Sequence, residues 1–507
     1  MSDSERDVTT GFLSILSGEF GALLVGLVIT PVLVRELGSA QYGAYAFVIS
    51  VLSVLLVVIN GGISDGIRKF IAEKRDREWQ VSVLGFYTRI ALLAGVGLGV
   101  VLGVAVWSGL VARLLGGRFE PYVLSLAVLL VARQLFLTAR SALMGLGLES
   151  QSEPLAVVQR ILFGVVGLAL VSLGYGVVGA LAGHIVATLV VGVVAFALVT
   201  RRLEIGVSQV GQPGDVPRRE LLSFNVLSVV LTLLMTSLYH VDILLLQPLA
   251  GSQVTGYYRA ALLIAEFVWF VPFALQMVLL HSTAELWADD RTDEISRLAA
   301  RATRYTVALA LLVTLGIASL VDAFVPLYFG SEFAVASDVV LLLLPGAFGF
   351  AVARPIFAIG QGKGDLRTLI VATGAAALLN LVLNLLLIPP YGMTGAAVAT
   401  SVAYGSMLVL HVLSARRIGF DPLGDLRLGA VTVAGLVTAG AVFGSAAVLA
   451  SPLLSLLVVP PVGALVFSSV AVRAGVVTGS ELEPTLRRVP EPLSSYLARG
   501  IDAIEAG

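Results

Sequence analysis

Apolar positions in this chain neither alternate nor form a single helical stripe. They run in blocks of about twenty residues, apolar on every side, separated by short charged or Gly/Pro-rich breaks. An α-helix rises about 1.5 Å per residue, so such a block crosses the ~30 Å hydrocarbon core of a bilayer. Fourteen blocks, here spans 1 to 14, begin near residues 11, 42, 83, 121, 155, 176, 221, 255, 302, 335, 367, 393, 428 and 453. Spans 5 and 6 are the closest pair, divided only around Tyr175. A backbone in lipid must satisfy its own polar groups, which leaves helices. The pattern therefore predicts an all-α polytopic membrane protein with 14 transmembrane helices.

Composition agrees with the pattern. Of 507 residues 58% are apolar and 13% charged, where soluble proteins carry about 25% charge. The 32 basic residues are unevenly placed, and cytoplasmic loops should hold the excess. With the N-terminus inside, the inner segments hold 23 Lys and Arg and the outer ones three, Arg35, Arg113 and Arg118. Both termini are thus expected in the cytoplasm, with the chain multi-pass in the cell membrane. The start MSDSERD lacks a basic region and no cleavage site follows, so span 1 reads as retained. No loop is long enough for a soluble catalytic module, so no enzyme is expected. Residues 284–304 read as a helix leaving the membrane, and 493–504 as a weak amphipathic helix (Leu493, Leu497, Ile501, Ile504).

The chain also repeats. Gly38-Ser39, Gly43 and Tyr45 recur 213 positions on as Gly251-Ser252, Gly256 and Tyr258. Ala139-Arg140 recurs as Ala353-Arg354, Tyr175-Gly176 with Gly179-Ala180 as Tyr391-Gly392 with Gly395-Ala396, and Arg201-Arg202 as Arg416-Arg417. Every match falls at the same place in the topology. Six is an even number of crossings, so spans 1–6 and 7–12 are parallel repeats. The expected organisation is an N-lobe (1–207), a C-lobe (208–427), two appended helices (428–473) and a cytoplasmic tail (474–507).

LGSAQYGAY (37–45), the basic loop after span 2, YGVVGA and YGMTGA before spans 6 and 12, and the 6+6+2 topology together resemble the polysaccharide and oligosaccharide flippases. These belong to the multidrug/oligosaccharidyl-lipid/polysaccharide exporter superfamily. The resemblance covers nearly the whole chain. It implies two six-helix lobes around a cavity that opens alternately to each side. The implied cargo is an oligosaccharide on a polyisoprenyl phosphate or pyrophosphate, flipped for surface polysaccharide or glycoprotein assembly. Membrane lipids and the enzymes of glycan assembly are the partners this implies.

Charges inside spans identify candidate site residues, because each costs at least about 2.5–3.5 kcal/mol at a helix centre. Arg133 lies in mid-span 4, Arg140 and Arg354 near the inner ends of spans 4 and 10, and Arg259 near the outer end of span 8. Guanidinium groups suit the phosphate oxygens of such a cargo. Snorkelling to inner-leaflet phosphates is the competing reading, and for Arg89 and Arg160 it is preferred. Asn380 and Asn384, four apart on span 11, are candidates for sugar hydroxyls. Glu19, Asp242 and Glu266 could carry a coupling H+ or Na+; the competing reading for Glu266 is an ion pair. Pro31, Pro272, Pro345 and Pro355 fall in or beside spans, where they kink helices.

Other chemistry has little foothold. There is no Cys, and His184, His240, His281 and His411 are scattered without metal-ligand spacing. GQGKGD around Lys363 lacks the Walker A spacing, so neither ATP nor another cofactor is expected. The charge pattern does not suggest nucleic acid. Two alternatives remain: a cation-coupled drug or small-solute antiporter of the same superfamily, and a membrane glycosyltransferase. The short outer loops disfavour the second.

Overall fold

The computed structural model describes residues 21–73, 76–206, 216–221, 225–479 and 481, with the helical backbone of 3–20 and 222–223. Glu19 and residues 493–504 lie outside the described residues. In the first half the elements are α1 (Asp3–Asn60), α2 (Ile63–Ala72), α3 (Arg77–Trp107), α4 (Leu110–Leu115), α5 (Glu120–Gly145), α6 (Glu149–Leu170) and α7 (Gly176–Leu203). They continue with α8 (Arg218–Ser223), α9 (Val226–Ala250) and α10 (Ser252–Ala265). The second half has α11 (Phe270–Ala288), α12 (Thr292–Phe329), α13 (Ala336–Gly362), α14 (Leu366–Ile418), α15 (Leu428–Val448) and α16 (Pro452–Arg473). Among the described residues there is no strand.

Eleven helical runs are long and apolar enough to cross a membrane. Three of them exceed one crossing: α1, the run from α6 through a π turn (Val171–Tyr175) into α7, and α14. Each is interrupted by a glycine in a conformation that side chains resist. Gly38 has φ 65°, ψ 173°, Gly176 φ 52°, ψ −134° and Gly392 φ 56°, ψ −130°. Gly176 and Gly392, 216 residues apart, thus share one backbone geometry. Gly251, 213 residues after Gly38, likewise has φ 85°, ψ 170°.

The chain packs as two compact units, Met1–Tyr257 and Tyr258–Gly507. In the first, α5 lies against α3 and α7, α6 against α7 and α1, and α9 against α1. In the second, α13 packs on α14, α12 and α11, while α15 and α16 pack on each other and on α12. Small residues set the closest approaches. A Cβ on Gly183 would lie 2.4 Å from the Cα of Gly167, and one on Gly346 2.3 Å from the Cα of Ser401. Lipid supplies no hydrophobic drive between helices, so close van der Waals packing at small residues holds them. Large apolar side chains such as Leu93, Val101, Leu436 and Leu457 point outward, which is where a bilayer would solvate them.

Two local expectations change. Residues 284–304 are not one helix: α11 ends at Ala288, Asp290 turns with φ 55°, and α12 starts at Thr292. The charges of WADDRTDE favour caps and turns over a helix interior. Within the expected basic loop after span 2 the chain forms α2, which buries Ile63, Ile67, Phe70 and Ile71 and exposes Asp65, Arg68 and Lys69.

In the second unit Arg304 of α12 is wholly buried. It donates 2.5 Å to Asp425, in the loop before α15, and also to Glu481, beyond α16. Arg427 closes the network through Asp425 (3.0 Å) and the carbonyl of Gly475 (2.6 Å). Burial alone would raise the Glu481 carboxyl, but the Thr478 N–H and the Arg304 guanidinium outweigh it and hold that carboxyl below its ordinary value.

Candidate functional site

The first unit concentrates charge on one helical hairpin. Helices α5 and α6 are joined by the tight turn at Gly147, which has φ 74°. Arg133 and Arg140 are seven residues apart on α5, and Glu153 and Arg160 seven apart on α6. Seven residues is about two turns, so each pair shares a face. Both pairs are about equally far from the turn, and the hairpin therefore forms two rungs.

The rung nearer the turn is an ion pair. Arg140 Nη2 donates to both carboxylate oxygens of Glu153, at 2.8 and 2.9 Å. Two turns deeper, the charges of Arg160 and Arg140 both act on Arg133. Arg160 donates to the carbonyl of Ala22 on α1 at 2.7 Å. No hydrogen bond or ion pair ties Arg133 to another described residue, and Arg133 is partly exposed. His184 of α7 feels both arginine charges, bonds Tyr45 Oη through Nε2 at 2.8 Å, and stacks on Phe163 with ring centroids 3.6 Å apart. Beside them Gln134 donates to Asn60 (3.2 Å), which in turn donates to Ser64 (3.0 Å).

Among the described residues no carboxylate pairs with Arg133 or Arg160, and two such guanidinium groups among apolar helices would gain free energy from an anion. Arg133 and Arg140 lie two turns apart on one face of α5. Arg160, for which snorkelling was the preferred reading, bonds the Ala22 carbonyl, and its charge acts on Arg133. Glu153 was not singled out, Tyr45 entered only through the repeated motif, and His184 only as one of four scattered histidines. The matched seven-residue spacings on either side of GLGLES were the available signal.

The other candidates are distributed differently. Asp242 of α9 is wholly buried, and its Oδ1 accepts the N–H of Ile243 at 2.7 Å. His240, two residues earlier, bonds Ser50 of α1 (3.1 Å). In the second unit Arg354 is buried over the faces of Phe350 (4.7 Å), Trp269 (4.9 Å) and Phe273 (5.1 Å), and donates to Gln276 Oε1 (2.9 Å). Arg140 and Arg354, matched in sequence as Ala139-Arg140 and Ala353-Arg354, thus differ in partner. Arg259 pairs with Glu266 at 3.5 Å. Asn380 and Asn384 are both 0% exposed, and Asn384 Nδ2 donates to the Asn380 carbonyl (2.9 Å) and side-chain oxygen (2.6 Å). In this conformation they bond each other inside the helix packing and present no surface to a sugar.

Comparison with known proteins places the chain. The family described as polysaccharide biosynthesis protein matches residues 8–274, and the MatE family matches 228–386. A probable low-salt glycan biosynthesis flippase of Haloferax volcanii, Agl15, is 25% identical over 84% of this chain and 87% of its own length. The probable flippase AglR of the same organism is 24% identical over 78% of this chain and 82% of its own. Among solved structures, the lipid II flippase MurJ in an inward closed conformation aligns with TM-score 0.74 at 15% identity, covering 90% of this chain and 97% of that one. An inward-facing multidrug resistance MATE transporter aligns with TM-score 0.63 at 15% identity, over 78% and 94%. At such identities the structural likeness establishes the fold. With more than half its length matched, this multi-pass membrane protein belongs to the polysaccharide biosynthesis protein family of the multidrug/oligosaccharidyl-lipid/polysaccharide exporter superfamily.

Proposed function

We propose that this chain flips a polyisoprenyl-phosphate- or pyrophosphate-linked oligosaccharide outward across the cytoplasmic membrane by alternating access. The observation that carries this reading is Arg133, a partly exposed guanidinium on a membrane-length helix that no described residue pairs with, set within reach of the Arg160 charge on α6. The named flippases of Haloferax volcanii support the same cargo class. A cationic drug would be repelled from this rung, which disfavours the antiporter reading that the MatE match would otherwise suggest.

The architecture in this reading is 6+6+2. If the breaks at Gly38, Gly176 and Gly392 are turns at a membrane face, the eleven runs become fourteen crossings. The shared geometries at Gly38 and Gly251, and at Gly176 and Gly392, support two parallel repeats. The excess of Lys and Arg on one side supports cytoplasmic termini. Coupling to H+ or Na+ belongs to the reading, with buried Asp242 the first candidate and Glu19 and Glu266 following. Arg140, Arg354 and Arg259 would guide the phosphate. The enzymes that build and receive the glycan would be the partners.

The test is reconstitution into liposomes carrying a fluorescent polyisoprenyl-phosphate oligosaccharide, scoring head-group exposure to an outside quencher. Wild type is expected to flip and Arg133→Ala to lose most of that rate. Flipping that survives the substitution would remove the site but keep the function. No flipping by wild type with several lipid donors would favour the antiporter and a cation-driven efflux assay.

A further inference from the structure

Asn380 and Asn384 are closed to a sugar, but another amide of the second unit is open. Gln276 of α11 accepts Arg354 Nη1 through Oε1 (2.9 Å), and its Nε2 has no partner among the described residues. About one turn earlier, Phe273 packs against the same guanidinium, its ring centroid 5.1 Å from Arg354 Cζ, yet is 41% exposed. Trp269, a further turn back, also meets Arg354 but is buried. About two turns before Phe273, Glu266 lies in the short turn between α10 and α11. It bonds Arg259 through Oε1 at 3.5 Å and leaves Oε2 without a partner among the described residues.

Helix α11 is accessible on two sides that differ in chemistry. Val271 and Val278 are 48% and 40% exposed. They stand two residues before and five after Phe273, which at about 100° per residue puts them roughly 140–160° around the helix from it. On a membrane-length run that apolar side is the one lipid solvates. The Phe273 side carries an amide and meets a guanidinium, and polar groups at that depth face the bundle interior or a water-filled space. Caging Arg354 accounts for the ring contacts and for Gln276 Oε1. It does not account for an accessible phenyl ring beside an unused amide, with a half-used carboxylate two turns along.

We propose that Phe273, Gln276 and Glu266 form a saccharide subsite of the second unit, which takes pyranose rings of the glycan. A pyranose is amphipathic: its axial C–H bonds make an apolar, electron-poor face that suits the negative face of a phenyl ring, and its hydroxyl rim needs both donors and acceptors. Gln276 Nε2 donates to a sugar oxygen, and Glu266 Oε2 accepts from a hydroxyl. From Glu266 to Gln276 the run advances about 15 Å, more than one sugar ring. Glu266 thereby leaves the set of coupling acids to Asp242 and Glu19. This assignment rests on the lipid-linked glycan reading given above, and a phosphate-free probe lets the two fail separately.

The experiment is saturation-transfer NMR on the full chain purified in octaethylene glycol monododecyl ether, a detergent without a sugar head group. The probes are maltotriose, mannotriose and N,N′,N″-triacetylchitotriose, with sorbitol, which has hydroxyls but no ring face, as control. Wild type is expected to transfer saturation to at least one trisaccharide, most strongly to its axial C–H protons, and not to sorbitol. Phe273→Ala should raise the dissociation constant of that probe about two- to tenfold, while Phe273→Trp, which keeps an aromatic face, should hold it near wild type. Gln276→Glu keeps an acceptor for Arg354 but removes the free donor, and should raise the constant by a similar factor. Transfer to none of the three trisaccharides by wild type overturns the subsite without any variant, and leaves the liposome assay to decide the cargo. Transfer that sorbitol matches, or that neither Phe273→Ala nor Gln276→Glu weakens, overturns it as well. Trisaccharide binding by a wild type that flips no lipid-linked donor supports the sugar site but overturns the cargo assigned to it.

Discussion

Adding one methyl group at Gly43 is a direct test of the packing in the first unit. Gly43 in α1 and Gly256 in α10 hold the same position in matched sequence motifs, and each faces the backbone of the other's helix. A Cβ on Gly43 would lie 1.8 Å from the carbonyl oxygen of Ser252, 2.6 Å from the Gly256 nitrogen and 2.9 Å from the Ser252 carbonyl carbon. On Gly256 it would lie 2.0 Å from the carbonyl oxygen of Ser39. All of these are backbone atoms, so no rotamer change relieves the clash. Restoring ordinary contact requires α1 and the first turn of α10 to separate locally by about 1.5 Å. Overpacking of this kind costs roughly 1–3 kcal/mol. At about 2–4 °C per kcal/mol for a unit of this size, Gly43→Ala should melt roughly 2–12 °C lower.

The assay is thermal unfolding in detergent, followed by tryptophan fluorescence. Gly103→Ala serves as the control: its Cβ meets nothing within 4 Å, so helix propensity should leave stability unchanged or raise it by up to about 1 kcal/mol. Gly43→Ala combined with Gly256→Ala should cost less than the sum of the singles, because the first substitution already parts the helices. A Gly43→Ala protein that melts at or above wild type, as the control should, would refute the close crossing.

Arg304→Ala should cost roughly 3 kcal/mol, since it takes the guanidinium from Glu481 and empties a buried site while part-exposed Asp425 keeps Arg427, whereas exposed Arg297→Ala should stay within about 0.5 kcal/mol; both are read from melting curves. Because the Glu481 carboxyl is held below its ordinary 4.5, its contribution is complete above that pH and is lost as pH falls through the lowered value. Melting temperature in wild type should therefore drop on acidification more than in Glu481→Gln. Arg354→Lys, which keeps the charge but loses the planar stacking on three rings, should cost about 1–2 kcal/mol in the same measurement. The chain has no Cys, so single cysteines report topology without background. Ser108→Cys and Ser331→Cys should react with an impermeant maleimide on intact cells, and Glu78→Cys and Arg202→Cys only after lysis; the reverse pattern would invert the orientation.

What the sequence determines by itself is whatever depends on composition over a window. Blocks of apolar residues as long as a bilayer is thick can only be helices there, so the fold class was legible without tertiary information. The matched glycines of the two halves were legible because glycines required at positive φ cannot drift. Gly38 and Gly251, and Gly176 and Gly392, keep their residue type, and the structure gives each pair the same dihedrals. Arg133 and Arg140 were legible as candidates because charge in a span is costly whatever surrounds it.

Only the tertiary structure decided what each charge faces. Arg140 and Arg354 follow the same Ala in matched sequence motifs, yet one meets a carboxylate and the other three aromatic rings, because partners come from neighbouring helices that periodicity does not identify. Asn380 and Asn384 share a helix face as their spacing requires, but the face is turned into the packing, and the sequence of a helix apolar on every side does not say which face that is. Arg160 read as a residue of the membrane interface, and the structure adds its bond to the Ala22 carbonyl of α1 and its charge acting on Arg133. A pair of like charges at that depth is visible only when two helices are seen together, because the energy that makes it meaningful is pairwise.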